Sequence, residues 1–418
     1  MKKPPKISIV TPSLNQGEFI EESIQSVINQ EGDFSIDYVI VDGGSTDNSL
    51  EIIKKYDTLI KTGKSPLQCR GIRYRWLSGP DSGQSAAINK GLGLAEGDIA
   101  AWLNSDDYYL PGAFAKAVRA FQRDEALAMI YGDGEVIDRL GRGKMKYDVE
   151  PFFDLWKLIH LYDFILQPSV FMRRQALKTA GYLNEQLHYI MDWELWIRLS
   201  RFGTIGFLSE KLSCARVYPE AKTQASGMKR WREIQQCSQR YGHMKWPPVM
   251  VTQLFHRPVN VMLGSSHERE GMIFSSLIKP LRQVYYGLIG GNRSGIYSDG
   301  HAERRAFLSI PLRPEIAKVL IRIKPLCSHR LRYFINNGHS GTIMLDSNEA
   351  TIKVAMSDEI KRPDFLHIKF LADKDVDIGP LPLTLARRKC SFLIQDISLQ
   401  KEDGSDVRDI GLPEFREE

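Results

Sequence analysis

Cysteine is scarce and scattered in this chain of 418 residues. Only five cysteines occur, they lie far apart and no two form a Cys-x-x-Cys pair: Cys69, Cys214, Cys237, Cys327 and Cys390. Neither a disulfide framework nor a cysteine-based metal site is therefore expected, and a reducing cytosol suits the chain best.

Long apolar runs are also missing. No stretch of about 18 or more apolar residues occurs, and the N-terminus, MKKPPKISIV, has no apolar segment of signal-peptide length. We expect a protein that is neither exported by a signal peptide nor membrane-spanning, located in the cytoplasm. Peripheral contact with the inner face of the cytoplasmic membrane stays open.

The charges do not gather into a block of one sign. The net charge is +5, and the composition is 43% hydrophobic, 26% charged and 10% aromatic. These values are typical of a globular protein and argue against nucleic acid as a partner. The length predicts more than one domain, and nothing in the sequence predicts an oligomeric state.

The first half of the chain alternates short apolar runs with helix-like segments. Continuous apolar runs suit strands that are buried on both faces of a parallel sheet. They occur at 7–10, 38–41, 74–77, 99–103 and 129–131. Between the first two, apolar residues recur at helical spacing over 20–28, which completes a βαβ unit. Residues 1–245 are predicted to form an α/β domain.

The pattern changes after this domain. Residues 246–295 have the texture of a helical connector, and contact of its apolar helix at 275–289 with a membrane surface stays open. Residues 296–418 show period-2 stretches at 367–371 and 391–399 and a turn signal at Asn337-Gly338. A β-sandwich-like domain is predicted there.

Polar residues follow three of the predicted strands, at the edge where open α/β sheets bind ligands. They lie at 11–15, 42–47 and 104–107. Two of them have a simpler explanation, because Ser45 and Asp47 fit a helix N-cap and Asp106-Asp107 fit a cap for a helix starting near Pro111. Acids after two different strands favour a ligand instead. Carboxylates suit Mg²⁺ or Mn²⁺, which normally bridge to phosphate oxygens, so a nucleotide diphosphate is expected.

Five stretches taken together resemble family 2 glycosyltransferases with the GT-A fold. They stand in family order at 7–30, 39–53, 78–107, 166–187 and 191–199. The resemblance implies a GT-A (Rossmann-like nucleotide-diphospho-sugar transferase) domain and inverting, metal-dependent sugar transfer from a nucleotide-diphosphate donor, with a UDP-sugar expected. The implied acceptor is a glycan or lipid-linked glycan hydroxyl in surface polysaccharide or lipopolysaccharide synthesis. Some bacterial members also carry a C-terminal β-rich accessory module.

The resemblance also assigns roles to individual residues. Four residues are expected along the nucleotide: Thr11, Pro12, Ser13 and Asn15. Asp42 would meet the base, and Asp81 would help to hold the nucleoside. Asp106 and Asp107 match the DxD-type element, with Asp106 near the ribose, Asp107 on Mn²⁺ or Mg²⁺, and both carboxylates available to the metal. Asn104 stands where many relatives have a first Asp.

An inverting transfer needs a base for the acceptor hydroxyl proton. The family takes it from an ED-type motif, which here reads Met191-Asp192, so Asp192 is the predicted catalytic base. The alternative role for Asp192 is an N-cap of the helix that follows, and Glu194 is the fallback base. A rival hypothesis for the whole chain is a glycan-binding or scaffold protein whose transferase-like domain is not catalytic.

Overall fold

The computed structural model describes most of the first 242 residues and much of the chain after residue 300. The described ranges are 4–65, 67–143, 145–147, 149–222, 227–242, 301–302, 305–312, 315–327, 329–335, 339–345, 349–355, 365–373, 376–380, 387–390, 392–401 and 403–407. The predicted connector at 246–295 and the turn at Asn337-Gly338 lie outside them.

The chain divides into two compact units. The first comprises Met1–Phe153 and Phe164–Glu233, and the second comprises Asp154–Asp163 and Ile234–Glu418. The domain boundaries proposed from the sequence stay predictions.

Helices alternate with strands through the first half of the chain. The helices are α1 Ile20–Ile28, α2 Ser49–Lys61, α3 Gln84–Leu94, α4 Ala113–Arg123, α5 Leu155–His160, α6 Arg174–Ala180, α7 Met191–Leu199 and α8 Gly227–Gly242, with a 3-10 turn at Gln167–Ser169. The strands of the first unit are β1 Lys6–Ser13, β2 Ser35–Asp42, β3 Ile72–Ser78, β4 Ile99–Trp102, β5 Tyr108–Tyr109, β6 Leu127–Ile137, β7 Met145–Lys146, β8 Phe171–Arg173 and β9 Thr204–Arg216. All five predicted strands are confirmed.

These nine strands form one mixed sheet in the order β3-β2-β1-β4-β8-β6-β9-β5, with β7 on β6. Strands β3, β2, β1 and β4 are parallel, and their registers pair Ser13 with Asp42 and Asp42 with Ser78. Because parallel strands end at the same edge, the polar loops after β1, β2 and β4 meet there. The α/β, GT-A-like class predicted from the sequence is confirmed.

Burial explains why the helices lie on this sheet. Helix α1 buries Ile20, Ile24, Val27 and Ile28, which recur at the spacing of one helix face. Helix α3 lies so close to β1 that a Cβ at Gly91 would fall 2.3 Å from a Val10 methyl. Full burial of one Ile or Val side chain contributes about 1.5–3 kcal/mol, so these faces fix the sheet and its loops.

The second unit is rich in β structure after residue 300. Its strands are β10 His301–Ala302, β11 Arg305–Pro311, β12 Lys318–Pro325, β13 His329–Ile335, β14 His339–Leu345, β15 Ala350–Ala355, β16 Phe365–Ala372, β17 Val376–Pro380, β18 Arg387–Cys390 and β19 Phe392–Gln400. They form two four-stranded sheets, β10-β19-β12-β15 and β11-β16-β13-β14, and a β17-β18 ribbon. Buried residues from both four-stranded sheets join one apolar core, which is the predicted sandwich.

Among the helices that the structure describes, none has the length and apolar character to cross a bilayer.

Candidate functional site

The loops that follow β1 and β2 are fastened to each other. The backbone N–H of Asn15 donates to Ser45 Oγ at 2.8 Å, and Asn15 Oδ1 accepts from the Thr46 N–H at 2.8 Å. Asn15 adopts a φ of +52°, a left-handed conformation that asparagine tolerates better than most residues. Asn15 therefore ties together the two loops that the sequence assigns to the nucleotide.

Asp42 organises the second of these loops. It is 1% exposed, and its carboxylate accepts from the N–H groups of Gly44 and Ser45 and from the hydroxyls of Ser45 and Ser78 at 2.5–3.1 Å. Four donors already satisfy both carboxylate oxygens. Asp42 thus lies buried at the predicted edge of the sheet, and its contact with a base stays a prediction.

The other residues assigned to the nucleotide divide between the interior and the surface. Thr11 is fully buried, and its hydroxyl pairs with the Tyr38 hydroxyl at 3.0 Å. Ser13 is also buried, and among the described residues its Oγ has no hydrogen-bond partner. Pro12 is buried between them. Ser13 therefore offers an unsatisfied polar atom at the end of β1.

Asp81 lies beside the β2 loop. Its Oδ1 accepts from the Gly83 N–H at 2.9 Å, and a Cβ at Gly43 would fall 3.0 Å from its Oδ2. Glycine at 43 allows this close approach. Since Asp81 is exposed, its carboxylate can reach a ligand at this edge.

Asp106 and Asp107 follow β4, and neither caps a helix, because the N-cap of α4 is Gly112. Asp107 is 6% exposed, and it accepts from the Arg216 N–H at 2.8 Å and from Asn104 Nδ2 at 3.3 Å. Asp106 Oδ2 accepts from the Tyr218 hydroxyl at 2.8 Å.

Burial raises the pKa of Asp106. Burial, reinforced by the neighbouring Asp106 charge, raises the pKa of Asp107 well above its usual value. Two adjacent carboxylates are thus held in a place that disfavours their charged forms.

Arg216 supports this pair and was missed by the sequence analysis. Its guanidinium donates to the Asp106 and Arg139 carbonyls at 3.0 and 2.8 Å and pairs with the Glu22 carboxylate at 2.5 Å. It also lies over the Phe19 ring, 4.8 Å from the centroid. The arginine is 7% exposed. A buried cation therefore holds the turn of Asp106 and Asp107, called the acidic turn below, against the end of β9. Arg216 lies 110 positions along the chain from Asp106, which left no local signal for this pairing.

A divalent cation fits this site in part. No group of three or more His, Cys, Asp or Glu side chains converges on a common point within the described segments. Asp106 and Asp107 supply hard oxygen ligands whose raised pKa values, due first to burial, a cation would counteract. The donor set suits Mg²⁺ or Mn²⁺ that takes its remaining ligands from phosphate oxygens and water.

Asp192 lies in the first turn of α7, which begins at Met191 with Ile190 as N-cap. The alternative N-cap role for Asp192 is therefore wrong: it is the second helical residue, and its Oδ1 accepts from the Trp193 N–H at 2.8 Å. Burial raises the pKa of Asp192. The hydrogen bond from the Trp193 N–H and the charges of Arg230 and Lys222 lower it, and the raising effect is the larger. A carboxyl with a raised pKa suits a general base.

Glu194 is engaged elsewhere. It is 3% exposed and forms a bidentate pair with Arg198 at 2.8–2.9 Å, and Arg198 also donates to the Ala180 and Tyr182 carbonyls. The pair fastens α7 to the end of α6.

A chain of side-chain hydrogen bonds joins the neighbourhood of Asp192 to the acidic turn. Lys222 Nζ lies 3.8 Å from Met191 Sδ and donates to Gln84 Oε1 at 2.7 Å. Gln84 Nε2 donates to Asn104 Oδ1 at 2.8 Å, and Asn104 Nδ2 reaches Asp107 at 3.3 Å. A path of side-chain contacts therefore connects Met191, the neighbour of the predicted base, to Asp107.

The fold is an α/β sheet with two polar loops and a pair of carboxylates at the edge where such sheets bind ligands. Residues 8–179 match the model of glycosyl transferase family 2. The first part of the chain is therefore similar to family 2 glycosyltransferases.

Relatives agree with this match over about half of the chain. A chondroitin synthase of Pasteurella multocida is 28% identical over 209 residues, which cover 49% of this chain and 20% of the synthase. An uncharacterized glycosyltransferase of Rickettsia typhi is 25% identical over 243 residues, covering 55% of this chain and 70% of the relative. The alignment thus spans only a fifth of the synthase.

Solved structures give weaker, partial likenesses. The mannosyltransferase PcManGT from Pyrobaculum calidifontis, in complex with GDP-Man and Mn²⁺, has a TM-score of 0.45 at 14% identity, over 70% of this chain and 85% of that one. TarS of S. aureus has a TM-score of 0.43 at 16% identity, over 96% of this chain and 90% of that one.

Proposed function

We propose that the protein is an inverting, metal-dependent glycosyltransferase. It would move a sugar from a nucleotide-diphosphate donor to a hydroxyl of a glycan or lipid-linked glycan. The observation that carries the proposal is the hydrogen-bonded path from the Asp192 neighbourhood through Gln84 and Asn104 to Asp107. The path supports a site in which the candidate base and the two candidate metal ligands act together, and its Gln84–Asn104–Asp107 part lies within the residues that match the family 2 model.

In this proposal the residues at the sheet edge bind and orient the donor. Asn15 and Asp42 hold the two loops in the shape that receives the nucleotide, and Asp81 presents an exposed carboxylate to the nucleoside. Asp106 and Asp107 would hold Mn²⁺ or Mg²⁺ against the diphosphate. The bound metal would stabilise the negative charge of the leaving diphosphate as a Lewis acid.

Asp192 would accept the proton of the acceptor hydroxyl. Its Oδ1 is fixed by the Trp193 N–H, so the rotamer is set before the acceptor arrives. The raised pKa, caused by burial, brings the carboxyl nearer to neutral pH, where a base is most effective. The pairing of Glu194 with Arg198 argues against this role for Glu194.

The relatives suggest the setting of the reaction. The names of the synthases refer to polysaccharide formation, so we propose a growing surface polysaccharide or lipopolysaccharide as acceptor, at the inner face of the cytoplasmic membrane. A UDP-sugar is the first donor to test. The β-rich unit is proposed as an accessory module that positions glycan.

Titration calorimetry tests the proposal. UDP, GDP and dTDP are titrated into wild type and Asp107→Ala, each with Mn²⁺ or with EDTA. We expect binding of one nucleotide by wild type with Mn²⁺, and a large loss with EDTA or with the variant. If every nucleotide binds wild type and Asp107→Ala equally well, with Mn²⁺ and with EDTA, the proposed metal site is contradicted. Binding without transfer to any glycan would favour the rival, a non-catalytic glycan-binding or scaffold protein.

A further inference from the structure

Lys222 lies at one end of a row of side-chain amides. Its Nζ donates to Gln84 Oε1 at 2.7 Å and lies 3.8 Å from Met191 Sδ. Much of the Lys222 side chain is exposed, but its ammonium end is partly surrounded by protein, and this burial lowers its pKa. The charges of Asp192 and Glu233 raise the pKa by a smaller amount. The ammonium thus contacts Met191, the residue that precedes the proposed base.

The direction of every hydrogen bond in the row follows from this lysine. An ammonium has three donors and no acceptor, so Gln84 must turn its oxygen toward Lys222 and its NH₂ toward Asn104. Asn104 must then accept through its oxygen, at 2.8 Å, and point its own NH₂ the other way. That NH₂ reaches Asp107 Oδ2 at 3.3 Å and Gln167 Oε1 at 3.1 Å.

The far end of the row is also fixed. Gln167 Nε2 donates to the Trp102 carbonyl at 3.0 Å, which leaves its oxygen for Asn104. An Asn104 flipped by half a turn would present its oxygen to both Asp107 Oδ2 and Gln167 Oε1, so acceptors would face acceptors. The cation at one end and the carbonyl at the other therefore allow a single arrangement.

We propose that Lys222 is a positioning residue of the transfer site: through Gln84 it holds one end of the row, as Gln167 holds the other, and so keeps Asn104 oriented as a donor to Asp107. This rests on the proposed function, because Asp107 is taken as a ligand of the donor-bound metal. Asn104 serves as a neutral donor that fixes the orientation of the Asp107 carboxylate.

The test is a double-mutant cycle on the full chain. Lys222→Met and Gln84→Leu each break the row, and partners that orient a metal ligand typically contribute about 10–100-fold to metal affinity. We expect each variant to weaken Mn²⁺ binding, measured calorimetrically with and without UDP, by about tenfold. The double variant should be no weaker than either single one, because both act through Asn104.

Matched variants separate orientation from loss of charge. Lys222→Arg also has donors only and should retain most of the affinity. Lys90→Met removes the same charge from an exposed position on α3, the helix of Gln84, and should bind like wild type. Melting temperatures confirm that all variants are folded.

The outcomes are distinct. Wild-type affinity in Lys222→Met, or losses that add up in the double variant, would overturn the role of Lys222 and leave the metal site intact. Absence of Mn²⁺ binding by wild type, with or without UDP, would overturn the metal site and this inference with it.

Discussion

Substitution of Asp192 by Asn separates catalysis from stability. Asn has nearly the same shape, and its Oδ1 can still accept from the Trp193 N–H, which Asp192 binds at 2.8 Å. Burial raises the pKa of Asp192, so the ionised form is disfavoured in the folded state at neutral pH. A neutral residue removes that cost, although it also loses attraction to Arg230 and Lys222. We expect the melting temperature of Asp192→Asn to match or exceed that of wild type.

Turnover should change far more. Asn cannot take the acceptor proton, and loss of a general base costs about 10²–10⁴-fold. This corresponds to about 2.7–5.5 kcal/mol in the activation barrier, at about 1.36 kcal/mol per factor of ten. The loss should appear in kcat, while donor affinity stays close to wild type because Asp192 is not among the residues assigned to the nucleotide.

Glu194→Gln is the matched control on the same helix. It breaks the buried bidentate pair with Arg198, whose side chains are 4% and 17% exposed. Breaking a buried ion pair costs about 3 kcal/mol or more, which for a unit of this size lowers the melting temperature by about 6–12 °C. Turnover of the folded protein should be nearly normal.

The assay is a transfer rate with a donor and acceptor found by screening, together with thermal melts of the three proteins. We expect Asp192→Asn to lose turnover and keep its stability, and Glu194→Gln to lose stability and keep its turnover. Normal turnover in Asp192→Asn with a dead Glu194→Gln would show that the wrong carboxylate was chosen. Normal turnover in both would refute the placement of the acceptor site on α7.

Two further predictions concern the acidic turn. The raised pKa of Asp107, caused first by burial, means that the native protein binds this proton before the unfolded chain does. Without metal, the ionised Asp107 destabilises the folded protein at neutral pH, and this destabilisation is lost as the pH falls toward the ordinary pKa of 3.8. Asp107→Asn should therefore melt above wild type at neutral pH, and the difference in melting temperature should shrink as the pH falls. A difference that is constant with pH would contradict this. Arg216→Met should lower the melting temperature by about 10 °C, because it strips a buried cation from Glu22 and from three carbonyls. Arg139→Met, an exposed control that pairs with Glu18, should cost less than about 1 kcal/mol.

The sequence predicts the strands and the edge well, and the reason is physical. Apolar runs such as 38–41 are buried on both faces of a sheet, so local composition reports the environment directly. The carboxyl ends of parallel strands meet at one edge, so the positions of the loops after β1, β2 and β4 followed from the strand assignment alone. The start of α7 was predicted two residues too late. Its N-cap is Ile190, which has no side chain that can accept a capping hydrogen bond, so the sequence carries no signal for a start at Met191.

The contacts between residues far apart in the chain could not be predicted from the sequence. Nothing near Arg216 in the sequence marks it as a partner of the acidic turn, and Lys222 reads as an ordinary exposed lysine until Gln84 is placed beside it. Asp42 was assigned to the base from its position, whereas its four hydrogen bonds to neighbouring donors are visible only in three dimensions.

A bound cation alone does not explain how the adjacent carboxylates at the sheet edge stay ionised and correctly oriented. Burial opposes the charge of Asp106 and Asp107, so without support they would take up protons or turn toward solvent. The support comes from a single stretch of chain: Arg216 donates its backbone N–H to Asp107 and its guanidinium to the Asp106 carbonyl, and Tyr218 donates to the Asp106 carboxylate. Lys222, at the end of the same stretch, contacts Met191, which precedes Asp192. Residues 216–222 therefore contact both proposed metal ligands and the neighbour of the proposed base, and we expect a shift of this stretch to alter donor binding and proton transfer together.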